Sequence, residues 1–158
     1  MKKTNAMRML DSAKIDYEVL EYSINREDFS GGAVSDLLGL DHRQCYKTLA
    51  LCHGRDVYVC VISVDDEIDL KKCAKAIGVK ELQMVHVKDL LKLIGYERGS
   101  VTPVGVKKNA GIWFDDKVYS HKIIEISGGA MGIGLKVDRD RLLGYLKANV
   151  ADIAKDGE

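Results

Sequence analysis

The sequence predicts an α/β or α+β domain built on a mixed sheet, and three observations carry that expectation. Segments of helical and strand periodicity follow one another as helix, strand, helix, hairpin, helix, helix, strands, helix. The turn His53-Gly54-Arg55-Asp56 joins two apolar β-forming runs, and a hairpin excludes a purely parallel sheet. The 158 residues, 46% hydrophobic and 30% charged, fit one domain with one core, spanning 1–158.

Each element has a local reason. Thr4 can cap a first helix that runs to about Lys14, with Ala6, Met7, Leu10 and Ala13 at helical spacing. Ile15 to Tyr22 alternates as a strand, and Ser23 to Asp28 is a polar loop. Ser30 caps a second helix, with Ala33, Val34, Leu37 and Leu38 as its apolar side and Gly39 as its stop. Gln44 to Cys52 reads as a strand apolar on both faces, and Val57 to Val64 as a central strand. Asp69 caps a helix from Leu70 to Ile77, ended by Gly78, with Lys71, Lys72 and Lys75 outward. Glu81 to Val85 is extended. Val87 to Ile94 is a helix with Leu90, Leu91 and Ile94 inward and Gly95 as its stop. Gly111 to Phe114, Lys122 to Ser127 and Leu135 to Val137 read as strands. Asp138 caps a terminal helix with Leu142, Leu143, Leu146 and Val150 as its stripe.

Several classes of function are disfavoured. Lys+Arg and Asp+Glu both number 24, and a protein that coats bulk nucleic acid usually has a basic excess. A local patch for one polyanionic end is still compatible with that balance. There is no apolar run of about 20 residues to span a membrane. No apolar signal core follows the basic N-terminus, so the expected location is the cytoplasm. Cys45, Cys52, Cys60 and Cys73 lack metal-ligand spacing and read as buried reduced thiols. The acidic run Asp65-Asp66-Glu67-Asp69 reads as a solvated loop and cap, and Asp115-Asp116 as a turn. No metal site is expected.

Candidate chemistry centres on Lys47. It interrupts the apolar strand, pointing with Cys45, Leu49 and Leu51, while Tyr46, Thr48, Ala50 and Cys52 point the other way. A lysine so placed snorkels to water, pairs with a structural carboxylate, or meets an anion. The loop Gly99-Ser100-Val101-Thr102-Pro103 contains the single proline of the chain, and a fixed φ beside a free one can hold N–H groups in an arc. Such an arc suits an oxyanion or a carbonyl oxygen; the alternative is a plain surface loop. Ser127-Gly128-Gly129 opens a second glycine-rich turn that leads to a strand, not to the helix N-terminus of a nucleotide site. Lys71, Lys72 and Lys75, with Lys107-Lys108, could form a modest phosphate-facing patch or merely a solvated face. A His42/Cys45 dyad is possible on paper, but Cys45 points into an apolar face and no nucleophile elbow is present.

Taken in order, these pieces resemble the YbaK/EbsC family, free-standing relatives of the editing domain of bacterial prolyl-tRNA synthetases. The matching residues are Tyr46-Lys47-Thr48-Leu49, Asp69-Leu70-Lys71-Lys72, Ala74-Lys75-Ala76-Ile77-Gly78 and Gly95-Tyr96. Gly99-x-x-x-Pro103, Gly105-x-Lys107-Lys108, Ser127-Gly128-Gly129, Phe29 and Ala151-Asp152-Ile153-Ala154 complete the set. The Cys-tRNA(Pro) deacylase branch is the nearest in pattern.

The resemblance implies a mixed, partly barrel-like sheet flanked by helices, and hydrolysis of the ester joining a wrong amino acid to tRNA. In the cysteine-specific branch the substrate thiol attacks the carbonyl, so the enzyme needs no nucleophile and no cofactor. Carried over, Lys47 holds the aminoacylated 3′ end and Thr48 lines the same pocket. Gly99, with Ser100, Val101, Thr102 and Pro103, supplies donors to the carbonyl, and Ser127, Gly128 and Gly129 form the opposite wall. Tyr22 and Phe29 enclose the amino acid, or Phe29 packs the core. Aminoacyl-tRNA is the implied substrate and prolyl-tRNA synthetase the implied partner. One departure stands out: where relatives carry a basic and an acidic residue after Ser-Gly-Gly, this chain has Met131 and Gly134. That leaves open alanyl-tRNA(Pro) or another small misacylated tRNA attacked by water, or a non-catalytic module that binds tRNA ends or a synthetase.

Overall fold

A computed structural model describes residues 2–23, 35–36 and 38–156. Phe29 and most of the helix expected from Ser30 lie outside them; Ser35, Asp36 and Leu38 are helical, and Gly39 follows with φ of 67°. Four helices and two sheets are formed among the described residues. α1 (Asn5–Ser12) is capped by Thr4, whose hydroxyl accepts from the Met7 amide, and buries Ala6, Met7 and Leu10. α2 (Leu70–Ile77) starts at the Asp69 cap and stops at Gly78, in the left-handed region. α3 (Val87–Ile94) buries Leu90 and Ile94 and ends at Gly95. Leu91, expected to face inward, is 54% exposed, because the buried stripe of so short a helix is only two residues wide.

The larger sheet has the order β4 (Gln83–Met84), β2 (Tyr46–His53), β3 (Asp56–Ser63), β5 (Ile112–Asp115) and β8 (Asn149–Ala151). β2 and β3 form the expected hairpin, with Lys47 opposite Ile62 and Thr48 opposite Val61. β3, β5 and β8 run parallel. The smaller sheet is antiparallel: β1 (Tyr17–Glu21), β7 (Ile133–Asp138) and β6 (Ile123–Ser127). A single parallel bridge, Cys45 to Glu125, joins the start of β2 to β6. The arrangement is mixed and barrel-like at that junction, and among the described residues the strands do not close into a barrel.

β8 corrects the expectation of a helix reaching Val150. α4 (Arg139–Leu146) ends at Lys147, a non-glycine residue in the left-handed region at φ 52°. Val150 keeps helical spacing from Leu146 but pairs with Phe114 in the sheet. Asp115 is likewise more than a turn residue. Fully buried, its Oδ1 accepts from the Ile153 and Ala154 amides, both at 3.0 Å, and its Oδ2 from the Lys117 amide at 3.1 Å.

Two apolar regions sandwich β2 and β3. Tyr46, Val59 and Val61 pack with α1, Phe114, Ile124, Ile126, Leu135 and Val137. On the other side, Leu51, Cys60 and Ile62 pack with α2, Ile153 and Ala154. The alternation that turns Ile124, Ile126, Leu135 and Val137 inward leaves Glu125, Ser127, Gly134 and Lys136 on the opposite face of β6 and β7. That second face carries the polar groups described next.

Candidate functional site

Lys47 is half-buried near the start of β2. Burial pushes its ammonium down from the ordinary range, while the charges of Asp66, Glu67 and Asp65 pull it back up. Among the described residues it makes no hydrogen bond and no ion pair. Two other partly buried lysines contrast with it. Lys72 Nζ reaches Asp152, Asp156 and the Ala154 carbonyl at 2.7–3.1 Å, and Lys117 Nζ lies 3.3 Å from Asp115 and 3.5 Å from Asp66. Lys72 is therefore tied to the segment after β8 and is not part of an outward phosphate-facing patch. Next to Lys47, Thr48 has a buried hydroxyl with no hydrogen-bond partner.

The Gly99–Pro103 loop is built, not slack. Gly99 sits at φ 92°, a conformation that glycine adopts without strain. The Ser100 amide and hydroxyl both donate to the Glu97 carbonyl, at 3.0 and 2.9 Å. Thr102 is fully buried, and Tyr96 Oη donates to the Val104 carbonyl at 2.5 Å. Among the described residues, the amides of Gly99 and Val101 have no acceptor.

The second glycine turn docks on this loop. Ser127 Oγ donates to the Ser100 carbonyl at 3.2 Å and accepts from the Gly129 amide at 3.2 Å. Thr4 Oγ1 donates to the Gly128 carbonyl at 2.7 Å. A side chain at Gly129, at φ 88°, would sit 3.3 Å from the Tyr96 ring, so the turn and the Tyr96 corner are in contact. The Ser127 proton is committed to a carbonyl, which suits a wall and not a nucleophile.

The structure brings Ser127, Gly128, Gly129 and Gly99–Pro103 directly together. Among the described residues no bond links Lys47 to them, and only register relates it to Ser127. Cys45 and Glu125 are bridged in parallel, so two residues further along both strands Lys47 and Ser127 point to the same side. The Lys47 charge feels the carboxylates of the Asp65–Glu67 turn without bonding to any of them. Thr48, on the opposite face of the strand, does not share the side of Lys47. Tyr22 is half-buried, its amide bonded to the Gly132 carbonyl at 3.0 Å, and burial and the nearby Glu125 push its phenol up to about 12.

Glu125 is the group the sequence reading missed. It is 5% exposed, its Oε2 has no partner, and burial pushes its carboxyl up to about 7. The signal was present: Ile123-Ile124-Glu125-Ile126-Ser127 carries a charge in an apolar strand, the same anomaly that singles out Lys47. Gly134 lies against it. A Cβ there would be 3.4 Å from Glu125 Cδ and 3.5 Å from Oε1. A carboxyl raised on folding binds its proton more tightly in the native state, so its share of stability is lost as pH rises through the window from about 4.5 to about 7. Glu125→Gln is therefore expected to raise Tm by roughly 5 °C at pH 8 and to leave it unchanged at pH 4. Paired thermal melts at the two pH values measure this.

Comparison with known proteins decides the family. A model of the aminoacyl-tRNA editing domain matches residues 30–143. The chain belongs to the aminoacyl-tRNA editing domain family. It is 33% identical over 153 residues, 96% of this chain and 93% of the other, to an Enterococcus faecalis protein named "Putative Cys-tRNA(Pro)/Cys-tRNA(Cys) deacylase EbsC". A solved structure titled "Crystal structure of a putative trans-editing enzyme for prolyl tRNA synthetase" superposes with a TM-score of 0.83 at 19% identity. It covers 99% of this chain and 100% of its own, and at that identity it speaks for the fold alone.

Within this editing-domain fold the conventional nucleophiles are disarmed. His42 is engaged by Asp36 at 2.6 Å and Asp65 at 2.9 Å, not by Cys45. Burial pushes the Cys45 thiol up to about 11. Cys60 and Cys73 face each other at 3.5 Å in the core, and that contact, with burial, raises the Cys60 thiol. Such thiols stay protonated at neutral pH. Replacing Cys45, Cys52, Cys60 or Cys73 by serine, one at a time, is expected to keep the deacylation rate within about fivefold. A thousandfold loss at unchanged circular dichroism, the scale of a missing catalytic group, would contradict this. Met131, in the turn after Gly129, is 47% exposed.

Proposed function

We propose that the chain, as one domain over residues 1–158, is an aminoacyl-tRNA deacylase that removes cysteine from tRNA(Pro) in trans. It works in the cytoplasm beside prolyl-tRNA synthetase. The observation that carries this reading is the pairing of unbonded N–H groups, on Gly99 and Val101, with an absence of any activated nucleophile among the described residues. Family membership and the printed name of the E. faecalis relative point to the same substrate. No helix among the described residues is long and apolar enough to cross a membrane, which is compatible with that setting.

In this mechanism the substrate does the covalent work. Lys47 holds the aminoacylated 3′ end through phosphate or ribose oxygens. Thr48, its buried hydroxyl on the other face of the strand, packs behind Lys47 and does not touch the substrate. The amides of Gly99 and Val101, in the loop fixed by Ser100, Thr102 and Pro103, polarise the ester carbonyl. Ser127, Gly128 and Gly129 form the facing wall, and Tyr22 borders the amino acid. The cysteine sulfur then bonds to its own carbonyl carbon, the carbon–oxygen bond to the ribose breaks, and the thiol proton passes to the departing ribose oxygen. A thiolactone leaves, and water opens it to cysteine. Intramolecular attack is entropically favoured, so positioning and carbonyl polarisation supply the acceleration.

The test is direct. Purified protein should discharge Cys-tRNA(Pro) at least about a hundredfold faster than the buffer reaction, on the lower end of what positioning supplies. Protection of the ester, or binding of the tRNA without discharge, would instead identify a non-catalytic module.

A further inference from the structure

The loop that carries the Gly99 and Val101 amides is closed twice, by two kinds of bond. At its base the Lys107 amide donates to the Ile94 carbonyl, in the last turn of α3, at 3.0 Å, so the chain leaves and returns at one point. Nearer the tip a side chain spans the two legs: the Tyr96 phenol donates to the Val104 carbonyl at 2.5 Å. Above that strut lies Ser100, whose amide and hydroxyl hold the Glu97 carbonyl and whose own carbonyl accepts from Ser127. The spacing of the legs just below Gly99 and Val101 is therefore set by Tyr96.

The surroundings favour this strut. Gly95, at φ 86°, ends α3, and Tyr96 follows it with 9% exposure. Burial pushes the phenol up from its ordinary range, so it keeps the proton that it donates. The side chain has no room to swing. A Cβ built on Gly129 would lie 3.3 Å from the ring, and one built on Gly105 would lie 3.1 Å from Oη. Both glycines sit at positive φ, 88° and 75°. Val104 is fully buried. If this corner served packing alone, an apolar ring would fill it without a hydroxyl to desolvate. A hydrogen bond adds a fixed distance and direction, which apolar contact does not supply. A loop that aims two N–H groups at one oxygen needs that precision.

We propose that Tyr96 is a positioning residue of deacylation: through the Val104 carbonyl it sets the leg spacing at which the Gly99 and Val101 amides converge on the ester carbonyl oxygen. The inference rests on the deacylase reading above and adds to it a residue that acts without touching the substrate. Its effect belongs to the transition state, where charge builds on that oxygen, so it is expressed in kcat and not in KM.

Two readouts test it. Tyr96→Phe removes one oxygen and keeps the ring. Assayed on Cys-tRNA(Pro) well below its Tm, it should lose about ten- to a hundredfold in kcat, the scale of a small misplacement, with KM changed by less than about twofold. Leu82→Ala, a truncation in the apolar region on the other side of β2 and β3, is the control: it should lower Tm at least as much and keep its kcat. Equal kcat for the two variants, or a loss carried by KM, overturns the proposal. The second readout needs no turnover. Amide hydrogen exchange followed by NMR should show the Ser100 amide exchanging at least about tenfold faster in Tyr96→Phe, with β6 and β7 unchanged. Unchanged exchange at Ser100 overturns the strut whatever the activity. A wild type that leaves Cys-tRNA(Pro) intact, while Tyr96→Phe still releases Ser100, removes the deacylase reading and keeps Tyr96 as the residue that sets the loop.

Discussion

Lys47→Ala is expected to lower kcat/KM for Cys-tRNA(Pro) by about a hundred- to a thousandfold while leaving the fold as stable as before. The two halves of that result have one cause. Lys47 is half-buried, its charged form is disfavoured by burial, and it has no bonded partner among the described residues. A structural lysine would be paired, as Lys72 is with Asp152 and Asp156. Removing a paired ammonium leaves orphaned carboxylates; removing Lys47 relieves a desolvated charge and costs only the packing of its stem. Lys47→Met keeps that stem and should match the alanine variant in activity loss with an unchanged or higher Tm. The activity loss follows if the ammonium is reserved for oxygens of the tRNA end, where a charge-assisted contact in a partly dry site is worth several kcal/mol. Deacylation rates and melts on the same samples separate the readings. If deacylation persists while tRNA binding falls, Lys47 is a docking residue of a binding module; if Tm falls with activity, Lys47 is structural.

Asp115→Ala should destabilise the protein by about 3 kcal/mol, because it strands buried N–H groups that have no water to turn to. Asp115 is fully buried and ties the end of β5 to the Ile153 and Ala154 amides, which lie past β8. The same segment is held by the Asp69 amide to the Ile153 carbonyl at 2.9 Å and by the Lys155 amide to the Glu67 carbonyl at 2.8 Å. Through these bonds it supports the Asp65–Glu67 turn beside Lys47, so activity should fall modestly as well. Burial alone would push the Asp115 carboxyl up. The Ile153, Lys117 and Ala154 amides and the Lys117 charge outweigh it, and the carboxyl is held below its ordinary range. Its contribution is therefore complete above the unfolded carboxylate range, about pH 4, and is lost as pH falls through the lower folded value. Urea melts at pH 7 of wild type, Asp115→Asn and Asp115→Ala measure this. A loss below about 0.5 kcal/mol for the alanine variant would mean that the backbone finds other acceptors.

Much of this architecture was legible because local signals agreed with the fold. The Asp69 cap and the Gly78 stop bracket α2, and Gly95 ends α3. The β2–β3 hairpin lies around its Gly54 turn as expected. What escaped was long-range. β8 is three residues long and follows a helix closed by Lys147, so no glycine or proline announced the change, and Val150 keeps helical spacing while pairing with Phe114. Asp115 looked like half of an acidic turn because the two amides that hold its Oδ1, those of Ile153 and Ala154, lie far along the chain. Lys72 looked like an outward lysine because Asp152 and Asp156 are about eighty positions away in sequence.

The site divides in the same way. Ser127 and the Gly99–Pro103 loop were readable as glycine-rich punctuation, and their contact through the Ser100 carbonyl is visible only in three dimensions. The parallel bridge from Cys45 to Glu125 aligns Lys47 with Ser127, and no pattern in either strand specifies that pairing. Glu125 was hidden because a lone carboxylate in a β-forming run reads as surface alternation until its burial is known.

The central claim is that the substrate's own thiol attacks the ester, and a comparison of single-turnover deacylation of Cys-, Ser- and Ala-tRNA(Pro) tests it most directly. Alanine lacks the nucleophile, and serine offers an oxygen that is scarcely ionised at neutral pH. Cysteine should therefore react at least about a hundredfold faster than either, since intramolecular attack supplies the larger part of the rate. Equal rates on cysteine and alanine would contradict the account and assign the attack to water.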